Sequence, residues 1–355
     1  MGVRFDKDNR RATNGPMIFF SILKDEAFEE EIRSAFVNGL SFYAYRFPND
    51  SMFSYGASEG FVEGIGEAGF VIGMFNPALP FITIPYRGGK KKGDIAPLYK
   101  MPHESTSFES YSREVEKIIS HLQGHPDSKV VAARVLVKEN PSFDIADKFY
   151  ELCERFPESF IFCFSTPVTG CWIGASPELL LSGEIGIIKS MALAGTRKVD
   201  CKEPWDLKNI EEQSIVKDFI CNIFQQNGLN PIPEDTFTKR AGSIEHICTP
   251  IKAEVNGKED LLKLIHELSP TPALCGYPKN FALKEISNLE QFDRGCYGGF
   301  CGPYHSLEDF NFNVVIRCIS VTEKRQCLYA GGGITFRSDV LSEWKETFLK
   351  LKNIN

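Results

Sequence analysis

The chain has 355 residues, of which 43% are hydrophobic and 25% are charged, and its formal net charge at pH 7 is −7. This length allows a large buried core in one large domain or two ordinary ones, and the acidic balance argues against nucleic acid or an anionic membrane as the main partner. No apolar run approaches the roughly 20 residues of a membrane span, and the N-terminal segment lacks the apolar stretch of a signal peptide. We therefore expect a globular protein of the cytoplasm.

Helical and strand-like patterns alternate along the chain without strict β-α-β order. Helical periodicity occurs at 107–123, 143–155, 206–226, 259–268 and 339–352. The strand-like stretches are FIFCFS, CWIGASPELLLSG, GIIKSMALAGT, FNFNVVIRCISV and QCLYAGGGIT. Because the strands come in groups joined by hairpin-like turns, the pattern predicts an α+β fold with large antiparallel sheets. The polar segment 86–107 is interpreted as a long loop, and no linker divides residues 1–355, so we expect a single domain.

The eleven cysteines are an odd number and are scattered through apolar runs. They form no CxxC pair and no Cys/His pairing at zinc spacing. We interpret them as reduced core thiols.

Two charged residues interrupt patterns that otherwise predict burial. On the helix 206–226, Glu212 shares the face of Ile215 and Val216, whereas Glu211 points away. A carboxylate turned inward needs a cation or several hydrogen-bond donors, but a residue near a helix start can also reach water; periodicity favours neither. In NVVIRCISV, alternation places Arg317 on the face of its apolar neighbours, which predicts a planar anionic partner, more often a protein carboxylate than a ligand.

Three further positions have both an ordinary and a functional interpretation. Lys129 opens the strand KVVAARVLV and would be a candidate general base if it were buried, although a lysine at a strand end usually reaches solvent. Glu178 follows a Ser-Pro turn and is either a solvated strand entry or an acid held in a pocket. In the closing helix, the apolar stripe is Leu341, Trp344, Phe348 and Leu351. Periodicity therefore places Glu343, Glu346 and Lys350 on the solvent face.

The ordered set of motifs between about 120 and 352 resembles the chorismate-utilising enzyme family. The residues that carry the resemblance are KVVAAR (129–134), GASPELLL (174–181), ALAGTRK (192–198), KNIEEQSIVKDFIC (208–221), HICTP (246–250), SPTPALCGYPK (269–279), FDRGCYGGFCG (292–302), VVIRC (314–318) and YAGGGIT...SEWKE (329–346). Single motifs are modest, but their order and spacing are specific.

The resemblance implies one α+β domain in which two large antiparallel β-sheets form a sandwich with helices outside. It also implies a Mg²⁺ site formed by Glu212 and Glu346, with Glu343 beside them directly or through water. The polar face of the closing helix would then line an active cleft. Carboxylate oxygens are the hard ligands that Mg²⁺ prefers.

Within the family, Lys129 occupies the position of the base in the branch that activates water, where the ammonia-using synthases typically have glutamine. Ala194 replaces a lysine that is common in the aminodeoxychorismate branch. The resemblance therefore implies an isochorismate synthase, an isomerase that serves menaquinone, siderophore or other biosynthesis. In this reaction Lys129 would deprotonate water for attack at C2 of chorismate, and Glu178 would protonate the departing C4 hydroxyl.

The same resemblance implies a set of substrate-binding positions: Gly195, Thr196, His246, Arg317, Gly331 and Lys350. Tyr297 and Ile316 would line the same pocket. The nearest alternative is a salicylate synthase, which also eliminates pyruvate; further alternatives are an ammonia-using synthase subunit and a chorismate-binding regulator without catalysis. The expected partner is the small molecule chorismate, with no obligatory protein partner.

Overall fold

The structure is a computed structural model that describes residues 24–87, 96–125, 127–139, 142–199, 201–242, 244–255 and 260–354. The N-terminal segment, with its predicted lack of a signal peptide, and part of the expected polar loop 86–107 lie outside these residues. No helix in the described ranges is long and apolar enough to cross a membrane.

The first sheet is antiparallel and has the strand order β14-β6-β18-β17-β8-β7-β1-β2, with strands numbered along the chain. Its strands are β1 (Ser41–Arg46), β2 (Ser54–Ser58), β6 (Lys129–Glu139), β7 (Phe160–Thr166), β8 (Gly170–Ser176), β14 (Gly276–Tyr277), β17 (Cys318–Val321) and β18 (Arg325–Ile334).

The second sheet is also antiparallel, in the order β11-β13-β10-β9-β16-β15-β4-β5-β3, and β12 pairs with β13 beside this path. Its strands are β3 (Val62–Glu63), β4 (Gly69–Gly73), β5 (Ile82–Pro85), β9 (Leu179–Glu184), β10 (Ile187–Lys198), β11 (Ile232–Pro233), β12 (Phe237–Ala241), β13 (Ile244–Glu254), β15 (Phe300–Ser306) and β16 (Asp309–Val314).

The helices lie against the two sheets. They are α1 (Glu26–Val37), α2 (Phe108–Leu122), α3 (Ile145–Arg155), α4 (Leu207–Gln226), α5 (Leu261–Leu268), α6 (Lys279–Leu289) and α7 (Val340–Ile354). Helix α4 packs on β10 and β13 of the second sheet, whereas α7 packs on β18 and α3 on β7 and β8 of the first sheet. Aspartates cap α3 and α4, since Asp144 and Asp206 each accept a hydrogen bond from a backbone N–H of the first turn.

Strand β7 shows why the first sheet reads as a continuous apolar run. Phe160, Phe162 and Phe164 face the large apolar cluster shared by the two sheets, while Ile161 and Cys163 face the cluster under α1 and α3. Successive side chains of a strand point to opposite faces, so a strand covered on both sides must be apolar at every position. The cysteines follow the same logic: all eleven are free thiols, and all but Cys201 and Cys221 are buried.

The structure confirms the predicted α+β fold of two large antiparallel sheets and all five predicted helices. The helices α1 and α6 and the strands before residue 86 were not predicted. Two of the predicted strands are wrong in extent. CWIGASPELLLSG is β8 followed by β9, and FNFNVVIRCISV is β16 followed by β17; in both cases the chain leaves one sheet and enters the other.

Candidate active site

The two places where the chain crosses between sheets carry Glu178 and Arg317. Glu178 stands between β8 and β9, and Arg317 stands between β16 and β17 with a φ of 49°. The crossovers are joined to each other, because Val314 N donates to Glu178 O at 3.0 Å and Ala175 N donates to Arg317 O at 3.0 Å. Both side chains therefore belong to one rigid junction of the two sheets.

Glu178 is buried, with 2% of its surface exposed. Burial raises the pKa of this carboxyl to about 8, although the Lys239 and Lys129 ammonium groups and a long 3.4 Å hydrogen bond from Thr271 Oγ1 favour the ionised form. At neutral pH the group is mostly protonated. Of its two interpretations, the structure supports an acid held in a pocket.

Lys129 is 1% exposed and does not reach solvent as a strand-end lysine usually does. Its Nζ donates to Glu212 Oε1 on α4 at 2.5 Å. Gly333 on β18 makes this approach possible, since a Cβ at that position would collide with Lys129 Cε. Burial raises the pKa of Glu212, but the Lys129 ammonium outweighs it and holds that pKa below the ordinary value. The inward orientation of Glu212 is thus explained by a cation from the protein, and Glu211 is exposed.

Arg317 is buried and has no carboxylate partner among the described residues; a neutral histidine holds it. Its Nη2 donates to His246 Nε2 at 2.8 Å, and His246 Nδ1 donates to the Gly195 carbonyl at 2.6 Å. Burial and the nearby guanidinium lower the pKa of His246 to about 3, so the ring stays an acceptor for arginine. The prediction that a protein carboxylate pairs with Arg317 is therefore wrong for the described residues. The charge of Arg317 remains available to a ligand.

Gly195 and Thr196 lie at an irregularity in the pairing of β10 with β13. Gly195 has a φ of 71°, in the left-handed region that favours glycine, and the Oδ1 of Asn209 on α4 accepts a hydrogen bond from Thr196 N at 3.1 Å. The irregularity turns the Gly195 carbonyl toward His246 and sets the position of the histidine ring.

Helix α7 presents a different face from the one predicted. Glu343 and Thr347 are buried together with Leu351 and Ile354, whereas Leu341 and Phe348 are about half exposed. The predicted apolar stripe is wrong for those two residues. Glu343 is turned inward, so its predicted position on the solvent face is also wrong.

Each of the three carboxylates expected to hold Mg²⁺ is paired with a lysine. Besides the Lys129–Glu212 pair, Lys350 Nζ lies 2.8 Å from Glu346 Oε1 and donates to the Gly331 carbonyl at 2.8 Å. Glu343 Oε1 accepts from Lys208 Nζ at 3.0 Å and from Ser338 Oγ at 2.8 Å. Within the described residues, no three His, Cys, Asp or Glu side chains are close enough together to form a ready metal site.

Two polar atoms nevertheless indicate that a cation fits beside α7. Glu343 Oε2 and the Tyr111 hydroxyl are buried without a hydrogen-bond partner in the described part of the chain. A Cβ on Gly332 would lie 3.0 Å from the first and 3.7 Å from the second, so both atoms border the same small space. A buried anionic oxygen without a partner is costly. The Glu343 carboxylate and the Tyr111 hydroxyl are donors of the hard oxygen type that suits Mg²⁺.

A cleft that is partly open to solvent brings most of the expected residues together. The expected residues in its wall are Glu178, Gly195, Thr196, Glu212, His246, Tyr297, Ile316, Arg317, Gly331 and Lys350. Lys129 is connected to this wall through its hydrogen bond to Glu212. Glu343 and Glu346 do not line the cleft, but Glu346 contacts its Lys350.

Sequence reasoning missed several residues of the site. Lys208 was part of a quoted motif without an assigned role, and Lys239, near Glu178, had no distinguishing signal. Leu193, Leu274 and Tyr329 line the cleft but have the pattern of ordinary core residues. Only Lys208 had a usable signal, because a lysine in the first turn of a helix opposes the helix dipole.

Comparisons with known proteins agree with this architecture. Residues 89–355 match the family described as chorismate binding enzyme. The isochorismate synthase EntC of Escherichia coli K12 is 29% identical over 263 residues, which cover 71% of this chain and 66% of that protein. The salicylate biosynthesis isochorismate synthase of Pseudomonas aeruginosa is 34% identical over 192 residues, which cover 51% of this chain and 40% of that protein.

A solved structure supports the same fold. The crystal structure of DhbC from Bacillus anthracis matches with a TM-score of 0.76 at 22% identity, and the match covers 92% of this chain and 98% of that one. At this identity the likeness concerns the fold alone. The family match, in contrast, extends over well more than half of the residues, and on that ground the chain belongs to the chorismate binding enzyme family.

Proposed function

We propose that this chain is an isochorismate synthase, an isomerase that adds water at C2 of chorismate and removes the C4 hydroxyl with Mg²⁺ as cofactor. The observation that carries the proposal is Glu178, a buried carboxylic acid whose pKa of about 8 keeps it protonated at neutral pH in the wall of the cleft. A protonated carboxyl can donate to a leaving hydroxyl, which an exposed carboxylate cannot do at this pH.

Lys129 is the proposed base. In the proposed step, a proton moves from water to Lys129 Nζ and the water oxygen bonds to C2. The ring double bonds shift from C1=C2 and C5=C6 to C1=C6 and C4=C5, the C4–O bond breaks, and Glu178 protonates the departing oxygen to give water. The substrate and product are isomers, so no oxidant or reductant is needed. Lys129 Nζ donates a hydrogen bond to Glu212 Oε1 at 2.5 Å in this structure. The proposal therefore requires Glu212 to turn away before Lys129 Nζ can accept the proton of water.

Arg317 is the proposed partner of a substrate carboxylate, because its charge is not balanced by a carboxylate among the described residues. His246 accepts a hydrogen bond from the guanidinium and stays neutral, so it does not neutralise the positive charge that a substrate carboxylate would bind. Lys350 lies on the same cleft wall as Gly331 and Gly195. We assign it to a substrate carboxylate as well, while Thr196, Gly195 and Gly331 border the ring.

Glu212, Glu343 and Glu346 are the residues that would hold Mg²⁺. When bound, this ion would supply positive charge that fixes the ring carboxylate and withdraws electron density from the ring. The unpartnered Glu343 Oε2 supports this assignment independently of the resemblance.

The test is a product assay with purified protein and chorismate, with Mg²⁺ or with EDTA. We expect isochorismate, formed only when Mg²⁺ is present. Salicylate together with pyruvate would instead identify a salicylate synthase, and anthranilate formed only with ammonia would identify the ammonia-using class. Binding of chorismate without any product would contradict catalysis altogether.

A further inference from the structure

Lys208 is the one lysine of the three carboxylate–lysine pairs that can leave its partner easily. Its side chain is about half exposed (50%), and Glu343 Oε1 is the hydrogen-bond acceptor the structure gives it. By contrast, Lys129 is enclosed, and Lys350 also holds the Gly331 carbonyl. Lys208 can therefore move into solvent without breaking a side-chain hydrogen bond to the backbone within the described residues.

The position of Lys208 in its helix does not favour a positive charge. It is the second residue of α4, whose N-cap is Asp206, and the first turn of a helix carries the positive end of the helix dipole. The contact with Glu343 bridges from α4 to α7 and compensates for that position. Glu343 is 2% exposed, and a buried carboxylate charge needs a cation nearby. In this structure Lys208 is that cation.

Lys208 contacts only one of the two carboxylate oxygens of Glu343. One oxygen, Oε1, accepts from both Lys208 and Ser338, while Oε2 has no partner in the described residues. A divalent ion bound through Oε2 would bring two positive charges to a carboxylate that already holds an ammonium. Like charges at such a distance repel, so the two cations compete for Glu343.

The three carboxylates Glu212, Glu343 and Glu346 and their three lysines have a formal net charge of zero. Adding Mg²⁺ to this neutral set without removing an ammonium leaves two uncompensated positive charges. Such an excess is unfavourable for a buried or partly buried set of charges, and the departure of one lysine into water reduces it from two charges to one.

From this arrangement we propose that Lys208 is a displaceable internal counter-ion: it neutralises Glu343 in the metal-free protein and leaves when a divalent cation binds. Lys208 thereby weakens metal binding to the free protein, and its contact with Glu343 links α4 to α7 when no metal is bound. The inference rests on the proposed function for the identity of the metal, but its measurement does not need chorismate.

The experiment is titration calorimetry of Mg²⁺ into chorismate-free Lys208→Met, Lys208→Arg, Lys217→Met and wild-type protein. Lys217 is a matched control, because it lies on the same helix and its ammonium group is 3.8 Å from the carboxylate of Asp218 rather than from a proposed metal ligand. We expect Lys208→Met to bind Mg²⁺ about tenfold more tightly than the wild type, as the loss of one competing charge-assisted hydrogen bond allows. Lys208→Arg and Lys217→Met should remain close to the wild type.

Unchanged or weaker Mg²⁺ binding by Lys208→Met would overturn the proposal, as would equal tightening by Lys208→Arg. Should Lys208→Met fold poorly without metal, Lys208→Gln is titrated instead, and the Mg²⁺-dependent rise in melting temperature is compared with that of the wild type; a larger rise supports the proposal and an equal one overturns it. A protein that binds Mg²⁺ as expected but forms no isochorismate would contradict the proposed function and leave this inference standing.

Discussion

The two walls of the cleft are built on different principles. On the sheet wall, Glu178, Arg317 and His246 are buried at or beside the crossovers and are held by backbone and ring contacts. On the helix wall, Glu212 of α4 and Lys350 of α7 line the cleft. Glu343 and Glu346 of α7 do not line it, and each of the three carboxylates lies 2.5–3.0 Å from a lysine. Under the proposed function, the sheet wall serves proton transfer and anion binding, whereas the helix wall exchanges a lysine for a metal ion. Burial sets the positions of the side chains on the sheet wall, whereas carboxylate–lysine pairs set those on the helix wall.

The largest expected effect comes from Lys129, the residue that connects the two walls. Lys129→Ala should lower kcat for isochorismate formation by roughly 10²–10⁴-fold, the usual range for loss of a general base. The measurement is a steady-state assay with chorismate and Mg²⁺. Circular dichroism must show a native fold, and Lys189→Ala, which removes a half-exposed lysine of β10, serves as the control. Activity close to the wild type would remove Lys129 from the chemistry.

Glu212 tests the helix wall. Glu212→Ala removes both a proposed metal ligand and the partner of Lys129, so we expect the Mg²⁺ concentration for half-maximal activity to rise by about 10–100-fold, as losses in a metal's supporting groups do. Activity is titrated against Mg²⁺ in the variant and in Glu211→Ala, whose side chain is exposed one position earlier. The same Mg²⁺ dependence in both variants would exclude Glu212 from the metal site.

The smallest effect concerns the pH response of the sheet wall. Because Glu178 must be protonated to act as an acid and its pKa is about 8, wild-type activity should fall about tenfold per pH unit above pH 8. The pH–rate profile in Mg²⁺ measures this. A rate that stays level well above pH 8 would argue against a protonated Glu178.

Stability gives an independent measurement of the same group. The folded protein keeps the Glu178 proton up to about pH 8, whereas the unfolded chain releases it at an ordinary glutamate pKa. The stability linked to this proton is fully present at low pH and is lost as the pH rises through about 8, by about 2–5 kcal/mol in total. Urea unfolding of wild type and Glu178→Gln between pH 5 and pH 9 should show this loss in the wild type alone.

The sequence determined the architecture and most of the residue types of the site. Continuous apolar runs such as β7 and helical periodicity in α2 to α5 follow directly from burial, so they could be predicted locally. The ordered motifs also identified Glu178, Glu212 and Arg317, which the structure brings to one cleft.

Tertiary structure decided what local periodicity could not. Alternation treats FNFNVVIRCISV as one strand, but the chain changes sheets at Arg317, and only that crossover places the guanidinium against His246. Helical periodicity likewise predicted that Phe348 is buried and Glu343 exposed, and the reverse is found. Periodicity considers only which face of a helix is apolar, so it cannot anticipate that Lys208 of another helix pairs with Glu343. Lys208 and Glu343 are 135 positions apart in the chain. Such charge pairs depend on which elements pack together, and the free energy of burying a carboxylate is set by that packing.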